Sequence, residues 1–164
     1  MNGKDNKGER WMGRTYLAYV SFMIIWNALI FLTPYLASIN NGLSPSLYAF
    51  FSYACHQDPD RSLFLFGNQL PVCARDTAIY LAMLVGGLAL PFLKDTRSRE
   101  IPPLWIFVLA MIPIGIDGTT QLLGWRESTN TIRIITGGII GLAIPFYLIP
   151  TLNFFFCKSN KARK

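Results

Sequence analysis

Four stretches of this chain, residues 15–57, 77–93, 101–116 and 134–157, contain no aspartate, glutamate, lysine or arginine. Few folds tolerate apolar runs of that length. An α-helix rises about 1.5 Å per residue, so roughly 20 apolar residues cross the ~30 Å hydrocarbon core of a bilayer. Each window supplies or nearly supplies that length. The pattern predicts an all-α polytopic integral membrane protein with four transmembrane helices, near 16–38, 76–94, 103–124 and 133–156, in one membrane domain spanning 1–164. The first apolar run far exceeds the ~7–15 residues of a cleaved signal's hydrophobic region, so it is expected to be a retained span.

A net charge of +6 in a soluble protein would suggest nucleic acid. Here the positions of the charges exclude that reading. Eleven of the fifteen basic residues are Lys4, Lys7, Arg10, Arg14, Lys94, Arg97, Arg99, Lys158, Lys161, Arg163 and Lys164, at the two ends and in the middle loop. Four helices place those segments on one side, which the positive-inside rule assigns to the cytoplasm. A multi-pass protein of the cell membrane follows, with both termini cytoplasmic and the bilayer as its first partner. The opposite side keeps Arg61, Arg75, Arg126 and Arg133, for which topology gives no reason.

Between the first two spans, "INNGLSPS" reads as a turn. Ser44 and Pro45 suit the cap and first turn of a short helix near 45–55, "PSLYAFFSYA". Too short to span, this helix is expected to lie in the outer interface or to re-enter it. Ala78, Ala82 and Gly86 in the second span, and Gly137 and Gly141 in the fourth, form small-residue faces that favour close helix packing. Cys157 has no partner at useful spacing.

The polar groups that remain gather on the outer side. "SYACHQDPDRSLFLFGNQLPVCARDT" (52–77) holds the single histidine and two of the three cysteines. Helix 3 adds Asp117 and Gln121, four apart on one face, and Arg126, Glu127, Asn130 and Arg133 follow. Asp117 lies about seven residues, or ~10 Å, inside its helix. Leaving it in hydrocarbon would cost on the order of 2.5–3.5 kcal/mol, so it must face water or a partner such as Arg75, Arg126 or Arg133. For the cysteines three readings compete. Cys55 and Cys73 suit a disulfide across the intervening loop. Cys55, His56 and Cys73, completed by Asp76 or Asp117, are ligand types that zinc accepts, although the spacing is not that of a standard zinc finger. Cys55 or Cys73 as a nucleophilic thiolate, with His56 as base or Arg75 lowering the thiol pKa, is the third. Asp58, in the bend "QDPD", is placed to orient the imidazole.

The elements "ACHQ", "PVCARDTAIY" and "IDGTTQLLGWRESTNTIRIITGGIIG" resemble, in that order, a family of small bacterial and archaeal integral membrane proteins defined as a domain of unknown function. The resemblance covers about residues 45 to 145, and implies that Cys55, His56, Cys73, Arg75, Asp117, Gln121, Arg126, Asn130, Arg133 and Gly137 are signature positions. A shorter string, Asp117, Gln121, Arg126, Asn130 and Gly137, is similar to VanZ-like membrane proteins and hints at an envelope-lipid context.

The leading expectation is a membrane-embedded enzyme acting on a lipid or lipid-linked substrate. Cys55, His56, Cys73 and Asp76 would hold zinc or another transition metal. Asp117, with His56 and Gln121, would act in catalysis, and Arg75, Arg126, Asn130 and Arg133 would bind an anionic headgroup. Two alternatives stand beside it: a non-enzymatic binder or transporter of metal or a small solute, and a thiol–disulfide redox protein cycling Cys55 and Cys73. Four helices are few for a monomeric transporter, which leaves an oligomer open.

Overall fold

A computed structural model of the chain describes the backbone over residues 5–162 and side chains over residues 13–155. Cys157 and, of the basic residues in the charge argument, Lys4, Lys7, Arg10, Lys158, Lys161, Arg163 and Lys164 fall outside the described side chains. The elements run α1 (Asp5–Ser38), α2 (Ser44–Ser52), a 3-10 turn (Pro59–Arg61), β1 (Ser62–Leu65), β2 (Asn68–Cys73), α3 (Ala74–Leu93), α4 (Leu104–Leu122) and α5 (Asn130–Ala162). Among the described residues four helices are long and apolar enough to cross a membrane: Gly13–Ser38, Ala74–Leu93, Leu104–Leu122 and Asn130–Phe155. The polytopic helical reading holds.

α3 and α5 form the centre of the bundle because their small residues meet. A Cβ on Gly137 would lie 2.6 Å from the Arg75 carbonyl oxygen, and one on Gly141 would lie 2.5 Å from that of Ile79 and 2.8 Å from Cβ of Ala82. Gly86 returns the contact, its added Cβ falling 2.8 Å from the Leu142 oxygen. Without side chains between them the backbones approach closely, which is how packing is gained in lipid, where burial of apolar surface offers no drive. α4 sits at the periphery. Asp117 is its only buried residue, and Leu104, Trp105, Val108, Leu109 and Ile116 are exposed to what would be lipid.

One element departs from an all-helical chain. The loop expected between Cys55 and Cys73 contains an antiparallel two-stranded hairpin. Its two-residue turn is Phe66–Gly67, both with positive φ (53° and 75°), which matches the twist of paired strands. The usual Asn-Gly or Asp-Gly signal is missing, so the turn is hidden in an aromatic run. Leu70 and Val72 of β2 close a buried cluster with Ile30 of α1 and Phe51 of α2, which fixes the hairpin over that end of the bundle. A second cluster, Tyr19, Met23, Leu90 and Ile149, holds the opposite end. There Asn153 donates from Nδ2 to the carbonyls of Thr96 (3.0 Å) and Ser98 (3.3 Å), tying the α3–α4 loop down. The short helix ends at Ser52, earlier than expected, and Ser44 does not cap it. Ser44 is buried, and its hydroxyl donates to the Thr33 carbonyl at 3.4 Å.

Candidate functional site

Two polar clusters meet at the hairpin end, on the first turn of α3. Cys73 is the N-cap of α3: its Sγ accepts from the Asp76 backbone N–H at 3.4 Å. That cap brings the Asp76 carboxylate round to the same sulfur, with Sγ 3.2 Å from Oδ2. The Cys73 N–H in turn donates to Sγ of Cys55 at 3.2 Å, which carries Cys55, three residues past α2, into the cluster. Ligand-type atoms of Cys55, Cys73 and Asp76 consequently lie within 4.8 Å of one another. Both cysteines are free thiols and form no disulfide.

Burial is the main force on the Cys73 thiol. It pushes the pKa up to about 12, with the charges of Asp76 and Cys55 adding to the rise and the Asp76 backbone hydrogen bond opposing it. A cap position at a helix N-terminus ordinarily lowers a thiol pKa; here desolvation wins. Without a metal, Cys73 is therefore a protonated thiol that donates to Asp76, and not the thiolate required of a nucleophile.

The second cluster is built on Asp117, which is 1% exposed. One carboxylate oxygen accepts from Nη2 of Arg75 and from the Ser128 hydroxyl (3.0 Å), the other from Nη2 of Arg126 (2.8 Å). Two of the three arginines expected to neutralise it do so. Arg133 does not. It is 5% exposed, and its Nη1 donates to Oδ1 of Asn130 at 2.9 Å and to the Asp60 carbonyl at 3.5 Å. Nδ2 of Asn130 reaches the Ser62 carbonyl (3.2 Å), so the start of α5 is sewn to the base of the hairpin.

Several expected roles are redrawn. His56 is exposed and stands apart from the group formed by Cys55, Cys73 and Asp76. Asp58 does not orient it: its carboxylate pairs with Nε of Arg61 at 3.1 Å and caps the 3-10 turn through the Asp60 N–H. Asp117, with both oxygens engaged, is an anchor for arginines. Gln121 is partly exposed one turn beyond, outside the group of donors that Asp117 binds.

Other residues had no such role in the sequence reading. Ser128 supplies the third donor to Asp117. Gln57 donates to the carbonyls of Tyr48 (2.7 Å) and Pro71 (3.1 Å), and Gln69 donates back to the Gln57 carbonyl (2.7 Å) and to the Ser62 hydroxyl (3.0 Å). These amides lock the segment bearing Cys55 onto β2, which bears Cys73. Their signal was legible: two glutamines in an apolar neighbourhood need partners. Tyr80 lies one turn from Asp76 on the same face of α3, its ring edge-on to Trp26 at 5.5 Å.

The family described as "Predicted membrane protein (DUF2085)" matches residues 55–147, which contain every residue of both clusters. A protein of Methanocaldococcus jannaschii named "Uncharacterized protein MJ1492" is 43% identical over 145 residues, 85% of this chain and 93% of the relative. A second, from Methanothermobacter thermautotrophicus and named "Uncharacterized protein", is 42% identical over 96 residues, 57% of this chain and 85% of its own. No solved structure matches the chain.

Proposed function

The chain belongs to the DUF2085 family of predicted membrane proteins, and from that premise we propose that it is a metal-dependent membrane enzyme. Its centre is formed by Cys55, Cys73 and Asp76, and its substrate is a lipid or lipid-linked molecule met at the outer face of the cell membrane. The observation that carries the reading is the convergence of two sulfurs and a carboxylate within 4.8 Å. Sulfur and oxygen donors in that number suit zinc or a similar transition metal. Three protein ligands with a further position open are characteristic of catalytic zinc, whereas structural sites are closed by four. Support for this reading comes from the contacts of Cys73 with Asp76 and with Cys55, which already draw the three donors together.

The ion would supply Lewis-acid chemistry and replace the thiol proton that Cys73 shares with Asp76. The chain's own residues do the rest. The Gln57 and Gln69 amides hold the two sulfurs in register, and the arginines beside the centre draw in anionic groups. The orientation follows the positive-inside rule, which puts the centre opposite the basic termini.

A redox reading is favoured by one observation, two free thiols with sulfurs within 4.8 Å. Metal analysis of the purified, detergent-solubilised chain separates the two. About one transition-metal ion per chain is expected, lost in Cys55→Ser, Cys73→Ser and Asp76→Asn and kept in His56→Ala. Metal-free wild type in which mild oxidant joins Cys55 to Cys73 reversibly would sink the metalloenzyme and support the redox protein.

A further inference from the structure

Two guanidiniums at the hairpin end, those of Arg75 and Arg133, keep donors that the fold leaves unmatched. Asp117 balances one guanidinium of the two that bind it, Arg75 and Arg126. Arg133 takes part in none of the ion pairs among the described residues, although it is 95% buried by its 5% exposure. A guanidinium has five N–H donors, and Arg133 uses only Nη1, on a side-chain amide and a peptide carbonyl. Arg75 shows the complementary deficit: its Nη2 is held by Asp117, while its Nε is buried without any hydrogen-bond partner.

The two deficits are neighbours. Gly137 lies under Arg75, whose Cγ is 3.3 Å from where a Cβ on Gly137 would be. Arg133 is four residues earlier on α5, on the same face and one turn nearer the hairpin. Arg75 and Arg133 therefore flank the same contact between α3 and α5, beside the first turn of α3 and at the end of two spans, where headgroups meet the hydrocarbon. A buried cation without a counter-ion is costly; an anion bound from outside relieves that cost.

We propose that Arg133 and the Nε edge of Arg75 form a subsite for a tetrahedral phosphate group, carried by a lipid headgroup or free in solution. Planar guanidinium forks match phosphate oxygens in pairs, which a lysine ammonium does not. Arg126, 41% exposed at its side chain, stands at the rim and holds Asp117 so that Arg75 stays turned. As the handle for a substrate the subsite rests on the metal-centre reading, since Arg75 and Asp76 are adjacent; as a binding site it does not.

The test is direct binding to the full chain in phosphatidylcholine nanodiscs, metal-stripped and zinc-loaded. One arm titrates inorganic phosphate by calorimetry; the other adds phosphatidic acid to the nanodiscs. Saturable binding near one per chain is expected in at least one arm. Phosphate binding in both arms assigns the site to the group itself, and binding of phosphatidic acid alone assigns it to the headgroup in its bilayer. Arg133→Gln is expected to weaken binding about tenfold or more, as for lost hydrogen bonds to a charge. Arg133→Lys keeps the charge, loses the fork and should weaken binding less, while exposed Arg99→Gln leaves it unchanged. Absence of saturable binding by wild type in both arms overturns the subsite, as does binding by a folded Arg133→Lys and Arg133→Gln pair equal to wild type. Binding that persists in metal-stripped protein while the chain fails to take up zinc keeps the subsite and removes the metal centre.

Discussion

Asp117 shows why an intramembrane carboxylate is a matter of partners more than of chemistry. Its two oxygens accept from two guanidiniums and a hydroxyl, so its charge is matched within the fold. Asp117→Asn leaves Arg75 and Arg126 without their anion, and a loss of about 3 kcal/mol or more is expected in detergent unfolding. Arg126→Ala, at a half-exposed position, should cost distinctly less, and equal losses would contradict the burial argument. Cys73 makes a pH prediction. Its thiol is raised from the ordinary 9.0 to about 12, so the folded state favours the protonated form. The stability this contributes is complete below pH ~9 and is lost as pH rises toward 12. In metal-free protein, maleimide labelling of Cys73 should accordingly stay slow from pH 7 to 9, while an unfolded control accelerates about tenfold per unit. A rate that follows the control would show the thiol to be unperturbed.

At the level of elements, the site depends on how tightly α5 lies against α3. Gly137 and Gly141 admit the carbonyls of Arg75 and Ile79 at distances no Cβ tolerates, and Gly138 faces open space. Gly137→Ala should therefore cost roughly 1–3 kcal/mol through overpacking and shift the first turn of α3, with it Arg75 and Asp76. Gly138→Ala, one residue on, should be neutral or slightly stabilising, since alanine is the better helix former. Thermal melts of the two variants check the pair, and equal melting temperatures would refute the close approach. The hairpin works by a different physics. Its positive-φ turn and the amides of Gln57 and Gln69 place Cys55 against Cys73 across a strand that helix periodicity would never have suggested.

For the molecule as a whole, four crossings bring the α3–α4 loop to the end opposite the hairpin. If the basic residues mark the cytoplasm, an impermeant thiol reagent added outside intact cells should label Tyr53→Cys, at a position 94% exposed, and spare Arg99→Cys until the membrane is opened. The reverse order, mapped by peptide mass, would invert the protein and place the cysteine and arginine clusters inside.

Span number and length were legible because the cost of placing charge in hydrocarbon is paid segment by segment, and a charge-free window declares itself locally. So were the small-residue faces of α3 and α5, and the demand that Asp117 face water or a partner. The identity of its partners was not. Whether Arg75, Arg126 or Arg133 reached it depended on which helix faces pack, and packing in lipid is decided by backbone approach at Gly137 and Gly141. The hairpin was hidden because Phe66 occupies a turn position where asparagine or glycine usually announces one. His56 and Asp58 stood beside Cys55 in the chain, and proximity along the backbone suggested a shared site. The tertiary structure turned His56 outward and closed the cluster with Asp76, since the N-cap of α3 carries that carboxylate back onto the Cys73 sulfur. Residue chemistry was in the sequence; which side chains share a few ångströms was left to helix and strand packing, because that energy is summed over contacts distant along the chain.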